Sequence, residues 1–307
     1  MTLDIKTDVG GLALDTPVVI ASGIAGYGDE WAGLVDLSRV GAVALKGIAV
    51  EPWPGNPPPR LAEAPAGVIN AIGLENVGLD VFLREKLPAL AGLTCRVVAN
   101  VVGRGMGEYV DVCAALDRAE TVDGLELNVS CPNVATGGMA FCADAGGLRA
   151  LVGACRDVTK KPLWVKLAPM VTDPVATARA ALEGGADALT IANTVPAMAI
   201  NVRTRRPILG NVYGGLSGPA IFPVNLRLVH LIFKETGAHI IASGGVDGWE
   251  AAVAYILAGA RAVQVGTALF DNPAVPEEVV AGLEEYLARE MYDGLGYLIG
   301  KVREERQ

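Results

Sequence analysis

Short apolar runs rich in β-branched residues recur along this chain. Each is closed by Gly, Asn, Ser or Thr, and most are followed by a segment with helical spacing. Near-continuous apolar runs are what strands of a parallel sheet look like when both faces are covered. The pattern predicts eight strands, at 17–22 (PVVIAS), 42–47 (AVALKG), 96–102 (RVVANVV), 124–130 (GLELNVS), 163–168 (LWVKLA), 186–194 (ADALTIANT), 239–244 (HIIASG) and 262–267 (AVQVGT). Helical spacing fills 28–38, 78–91, 107–119, 146–158, 174–184, 220–236, 248–259 and 275–290. Asp173-Pro174 and Asn272-Pro273 read as turn or helix-start signals, because Pro is tolerated in a first helical turn. Eight alternations predict an α/β fold, a single (β/α)8 TIM barrel spanning 1–307 as one domain. An open doubly wound sheet is the alternative. At this length it usually splits into two units, and no linker-like composition shift marks a boundary.

Residues 2–15 alternate weakly around Gly10-Gly11 and predict an N-terminal hairpin plugging the barrel's lower end. Two connections, about 48–77, carrying Pro52, Pro54, Pro57, Pro58 and Pro59, and about 195–219, are too long for plain turns. Long ordered loops in compact domains are often lids or binding loops. Both are expected at the C-terminal face, where barrel enzymes build their sites.

The 307 residues are 51% apolar and 19% charged, which excludes a disordered chain. Net charge is −9, against the basic face that nucleic-acid binding requires. The opening residues hold acids and no long apolar run, so they do not read as a signal peptide. No stretch approaches the roughly 20 uninterrupted apolar residues of a membrane span. The five cysteines (95, 113, 131, 142 and 155) form no CxxC pair, so neither a disulfide framework nor a metal site is expected. Buried thiols in a reducing cytoplasm are the bland reading for each.

The strand ends carry the chemistry. Ser22 and Lys46 close the first two, Asn100 lies in the third, and Asn128, Ser130 and Cys131 end the fourth. Lys166 lies in the fifth, Asn193 and Thr194 end the sixth, and Gly244-Gly245 and Gly266-Thr267 close the last two. Polar side chains in such runs are costly unless they find partners. Any one alone is an ordinary satisfied core group, but eight ends converging on one face form a ring suited to a flat, polar, anionic ligand. Glycines after strands seven and eight suit a phosphate, because barrels often bind one there through exposed backbone N–H groups. An unpaired buried ammonium at Lys166 would tend to lose its proton, and an anion beside it removes that problem. A reduced flavin carries negative charge at its N1–C2 edge, which a lysine would stabilise.

Some signals stay bland. Gly103-x-Gly105-x-Gly107 follows a strand and precedes a helix but has Glu108 where the dinucleotide fingerprint has its third glycine, so it reads as a flexible turn. His230 and His239 fall in a helix and at a strand start, away from the active face. Asn128-Val129-Ser130 matches a glycosylation sequon but lacks a secretion signal.

At NVSCPNVATGGMAF (128–141) the sequence resembles the class 1 dihydroorotate dehydrogenases, FMN-dependent barrels of pyrimidine biosynthesis. The blocks ALKGIAVEPWPGNPPPRLAE (44–63), INAIGLENVG (69–78), GGLSGPAIFPVNLRLV (214–229), IASGGV (241–246) and VQVGTALF (263–270) carry the resemblance along the whole chain. It implies oxidation of (S)-dihydroorotate to orotate, with Cys131 taking the C5 proton as the C6 hydride passes to flavin. A thiolate near lysine and backbone dipoles suits that role. The resemblance implies that Asn70, Asn128, Asn133 and Asn193 hold the pyrimidine, whose imide and carbonyl edges a carboxamide can both serve. Ala71, Ile72, Gly73 and Leu74 line the same pocket through their backbone. Lys46 faces the substrate carboxylate, and Thr194 is a further substrate contact. For FMN it implies Ser22, Lys46, Gly47, Asn100, Asn128, Lys166, Ile191, Gly218, Gly244, Gly245, Gly266 and Thr267.

The GGMAF run resembles the 1B branch, which passes electrons to NAD⁺ through a second subunit carrying FAD and a 2Fe–2S cluster. This chain has no cysteine cluster for such a centre, so FAD and iron–sulfur are expected only on a partner. A homodimer of these chains within a heterotetramer is implied. Class 2 enzymes use a serine base and a membrane extension, which Cys131 and the short start oppose. Cys142 departs from the glycine expected there and is taken as a bystander. The alternatives are a fumarate-using 1A-like enzyme, another FMN barrel that reduces pyrimidines, a tRNA dihydrouridine synthase and a non-catalytic flavin binder. Lys46 favours a carboxylated substrate over a plain pyrimidine. The acidic charge opposes tRNA, and an intact Cys131 with its asparagines opposes a pure binder.

Overall fold

The computed structural model describes residues 3–28, 33–130 and 138–304, the side chains of 138–140 excepted. Eight parallel strands close into a barrel in chain order. They are β1 (Val18–Ile20), β2 (Ala42–Ala44), β3 (Arg96–Val101), β4 (Gly124–Asn128), β5 (Leu163–Leu167), β6 (Ala188–Ile191), β7 (Ile240–Ser243) and β8 (Ala262–Val265). Each lies within its expected span, and closure of β8 on β1 through Val263 and Val18 excludes the open sheet.

Helices Met106–Asp117, Ala145–Arg156, Pro174–Glu183, Phe222–Thr236, Trp249–Leu257 and Val275–Arg289 pack around the barrel. Asp173 caps its helix as expected, its Oδ1 accepting from the N–H groups of Val175 (3.0 Å) and Ala176 (2.9 Å). Asn272 instead closes a turn, accepting from Ala274 N at 3.0 Å, and the helix begins at Val275. Two expected helices differ. Of 28–38, the described part holds only the 3₁₀ turn Leu37–Arg39. The segment 78–91 forms three short pieces, Leu79–Val81, Phe82–Lys86 and Leu87–Gly92. Pro88 lacks an N–H and crowds the carbonyl four residues earlier, so a regular α-helix cannot run through it.

The N-terminal hairpin pairs Thr7–Val9 with Leu12–Leu14. Val9, Leu12 and Leu14 fill the lower barrel against Trp164, whose Nε1–H donates to Val9 O at 3.1 Å. The two long connections are not structureless loops. They pair with each other in a four-stranded antiparallel sheet, ordered Val195–Met198, Tyr213–Ser217, Gly67–Asn70, Leu61–Ala64. Pairing between segments so far apart in sequence leaves no local periodicity to read.

Candidate active site

Successive side chains on a strand point alternately to the helices and to the barrel interior. The lower interior positions are apolar: Val19, Val98, Trp164, Ala188, Ile241 and Ala262. Two residues further along, the interior turns polar, with Asn100, Lys166, Thr190, Ser243 and Gln264, joined by Glu126 and Asn128 from β4. All seven are buried. The barrel therefore has a dry lower layer and a hydrogen-bonding upper layer that floors a cavity of about 380 Å³.

Most residues singled out in the sequence meet on that cavity. Ser22, Lys46, Gly47, Asn100, Asn128 and Lys166 line it from the first five strands and their ends. Asn193 and Thr194 follow β6, and Gly244, Gly245, Gly266 and Thr267 follow the last two strands. Asn70, Ile72, Gly73, Leu74 and Gly218 close it from the overlying sheet and its flanking turns. Two do not line it. Ile191 is an outward position of β6 and packs in the main core, and Ala71 is fully buried beneath the added sheet. Strand parity decides Ile191, whereas Ala71, just past the strand Gly67–Asn70, packs with Ala62, Ile69 and Leu209. Cys131 and Asn133 lie outside the described residues.

The floor is one hydrogen-bonded network. Glu126, fully buried, accepts from Asn100 Nδ2 (2.7 Å), Thr190 Oγ1 (2.7 Å) and Gln264 Nε2 (3.0 Å). Gln264 Oε1 accepts from Lys166 Nζ at 3.2 Å. Asn128 Nδ2 donates to Asn100 Oδ1 at 3.4 Å, Ser130 Oγ donates to Asn128 Oδ1 at 3.0 Å, and Asn193 Nδ2 donates to Ser130 Oγ at 2.7 Å. Sequence reasoning missed Glu126, Thr190 and Gln264. Their signal was a polar residue two positions from another interior position, in GLELN, ADALTI and AVQV.

Cation and glycine positions complete the chemistry. Lys46 stands at the mouth, 3.5 Å from Glu75 Oε2, which also pairs with Arg60 at 2.9 Å. Gly218, Gly244 and Gly245 have φ of 95°, 112° and 73°. A Cβ at Gly244 would sit 2.4 Å from Asn225 Nδ2, and one at Gly245 would sit 2.6 Å from Phe222 Cβ, so only glycine fits both. Tyr255 Oη holds Gly244 O at 2.6 Å, fixing this turn beside the 3₁₀ start at Thr267. Backbone N–H groups gathered in such turns suit a phosphate. A flat polar body over the amide floor and a phosphate in the glycine turns therefore fit a flavin mononucleotide.

The remaining features stay outside the site. Cys142 is buried and off the cavity, its thiol pushed up to about 11 by burial. Gly103, Gly105 and Gly107 occupy the turn and first residues of helix Met106–Asp117, and none lines the cavity. His230 pairs with Glu304 on the surface, and His239 Nδ1 accepts from Gly10 N at 2.9 Å. Among the described residues, no group of three or more His, Cys, Asp or Glu is placed to hold a metal ion. No helix there is long and apolar enough to cross a membrane.

A family described as dihydroorotate dehydrogenase matches residues 4–287. A protein of Geotalea daltonii named dihydroorotate dehydrogenase B (NAD(+)), catalytic subunit is 45% identical over 300 residues, covering 98% of both chains. A protein of the same name from Trichlorobacter lovleyi is 46% identical over 297 residues, covering 97% of this chain and 98% of its own. Among solved structures, the Eimeria tenella enzyme crystallised with ferulenol superimposes with a TM-score of 0.80 at 26% identity, over 97% of this chain and 88% of that one.

Proposed function

Since the chain belongs to the dihydroorotate dehydrogenase family, we propose that it oxidises (S)-dihydroorotate to orotate on bound FMN, within the biosynthesis of UMP. The observation that carries this reading is the cavity lining. Amides, two lysines and positive-φ glycines converge on one space open to a planar carboxylated ring.

In this reading Ser22, Gly47, Asn100 and Lys166 hold the flavin ring. Gly218, Gly244, Gly245, Gly266 and Thr267 hold its phosphate. When bound, FMN supplies a two-electron acceptor for the C6 hydride. The protein's own residues do the rest. The Cys131 thiolate takes the C5 proton, so the substrate loses one proton and one hydride and gains a ring double bond. Asn70, Asn128, Asn133 and Asn193 give donors and acceptors to the pyrimidine edges. Thr194 and the backbone of 72–74 close the pocket, which orients C5 and excludes water. Lys46 neutralises the carboxylate. Ser130, next to the proposed base, is itself buried and bonded to Asn193 and Asn128.

NAD⁺ is the proposed final acceptor, reached through a partner polypeptide carrying FAD and a 2Fe–2S cluster. The proposed assembly is a dimer of these chains flanked by two partners, in the cytoplasm. Two of this chain's cysteines, Cys113 and Cys155, are fully buried in the helix layer and are no use as cluster ligands.

The test is a visible spectrum of the purified chain, then anaerobic dihydroorotate. A flavin band that bleaches is expected. A colourless protein that takes up no FMN, or a band that persists, refutes the reading. Addition of NAD⁺ to the chain alone should give little NADH, and rapid NADH formation removes the need for a partner.

A further inference from the structure

We propose that Glu126 is a positioning residue that sets the direction of Asn100 and Gln264, the two cavity-floor amides that donate to it. The inference rests on the flavin reading. An ionised carboxylate only accepts hydrogen bonds, and the three polar groups facing Glu126 can all donate. Two chains of hydrogen bonds run toward it. In one, Asn193 donates to Ser130, Ser130 to Asn128, Asn128 to Asn100, and Asn100 to Glu126. In the other, Lys166 donates to Gln264 and Gln264 to Glu126.

A carboxamide offers a donor at one end and an acceptor at the other, and nothing in its shape selects between the two orientations. Glu126 makes the selection. With its Nδ2 committed to the carboxylate, Asn100 turns Oδ1 toward Asn128. With its Nε2 committed, Gln264 turns Oε1 toward the Lys166 ammonium. If Glu126 could itself donate, either amide could turn over. Gln264 would then meet Lys166 donor to donor, and Asn128 would lose its acceptor in a layer shielded from water, where unpaired polar groups are costly. A buried acceptor thus orders groups facing two ligands. One branch reaches the lysine proposed for the flavin. The other reaches the asparagines proposed for the pyrimidine.

The test compares three variants with the wild type. Apoprotein is titrated with FMN, and the FMN-loaded protein is titrated with orotate. Thermal melting is recorded for each. Glu126→Gln keeps the shape but adds a donor, and should weaken both FMN and orotate by about tenfold or more. Gln264→Met cuts only the lysine branch. It should weaken FMN while orotate affinity stays within about twofold, and it serves alone if Glu126→Gln does not fold. Thr190→Val removes a bond to the same carboxylate without touching either branch. It should lower the melting temperature while both affinities stay within about twofold. Glu126→Gln with wild-type affinities, or Thr190→Val losing affinity as Glu126→Gln does, overturns the role. So does Gln264→Met weakening both ligands alike. Wild-type protein that binds no FMN sinks the functional reading itself and is seen before any variant is compared.

Discussion

The Lys46 ammonium lies 3.5 Å from a Glu75 carboxylate oxygen that also takes the Arg60 guanidinium at 2.9 Å. The cation proposed for the substrate carboxylate is therefore already paired, and any anionic ligand competes with Glu75 for it. Partly exposed ion pairs are worth about 0.2–1 kcal/mol. Glu75→Gln should therefore tighten orotate by about 1.4- to 5-fold at low salt, with the difference shrinking as salt screens it. Lys46→Ala should weaken orotate and flatten its salt dependence. Orotate titration of the flavin spectrum at two ionic strengths measures both. Unchanged affinity in both variants would remove Lys46 from carboxylate recognition.

Cys131→Ser should retain FMN and orotate but lose most turnover at neutral pH. The hydroxyl is a far weaker base than a thiolate. Activity should recover in part as pH rises. A pH profile of dihydroorotate-driven bleaching decides it, and near-normal turnover at pH 7 would exclude the base role.

Lys166→Ala should weaken FMN retention or make the flavin harder to reduce. Its ammonium is the positive charge in the buried layer, and it would stabilise the anionic reduced flavin. Redox titration and FMN occupancy of the purified variant read this out. If both match the wild type, Lys166 does not face the flavin.

Burial holds His239 below its ordinary pKa, and the nearby Arg261 adds to the effect. Its Nδ1 accepts from Gly10 N, a bond that needs the neutral ring. The unfolded chain therefore binds the proton more readily. The contribution to stability is complete above about pH 6.5 and is lost as pH falls toward the lowered folded value. The wild type should melt at lower temperature at pH 5 than at pH 7.5. His239→Asn, which keeps an acceptor without titrating, should narrow that difference. An equal drop in both proteins would assign the pH dependence to other groups.

The alternation of apolar runs and helical spacing was enough to number and place all eight barrel strands, because buried parallel strands must be apolar over their whole length. Polar residues at strand ends likewise marked the catalytic face, since such groups are too costly in a core to be incidental. The motif around residue 131 and the blocks on either side of it carried the resemblance to the family. Other features depended on contacts between distant segments. The two long connections form a shared sheet over the cavity because they hydrogen-bond to each other, and no local spacing encodes that. Glu126 reads as one odd residue in GLELN until the barrel closes and brings Asn100, Thr190 and Gln264 around it. Ile191 belongs to the core because strand parity turns it toward the helices. Sequence determines which side chains are available, since composition and period are local. Only the closed barrel decides which of them share a carboxylate, because that requires four strands spread along the chain to meet around one interior.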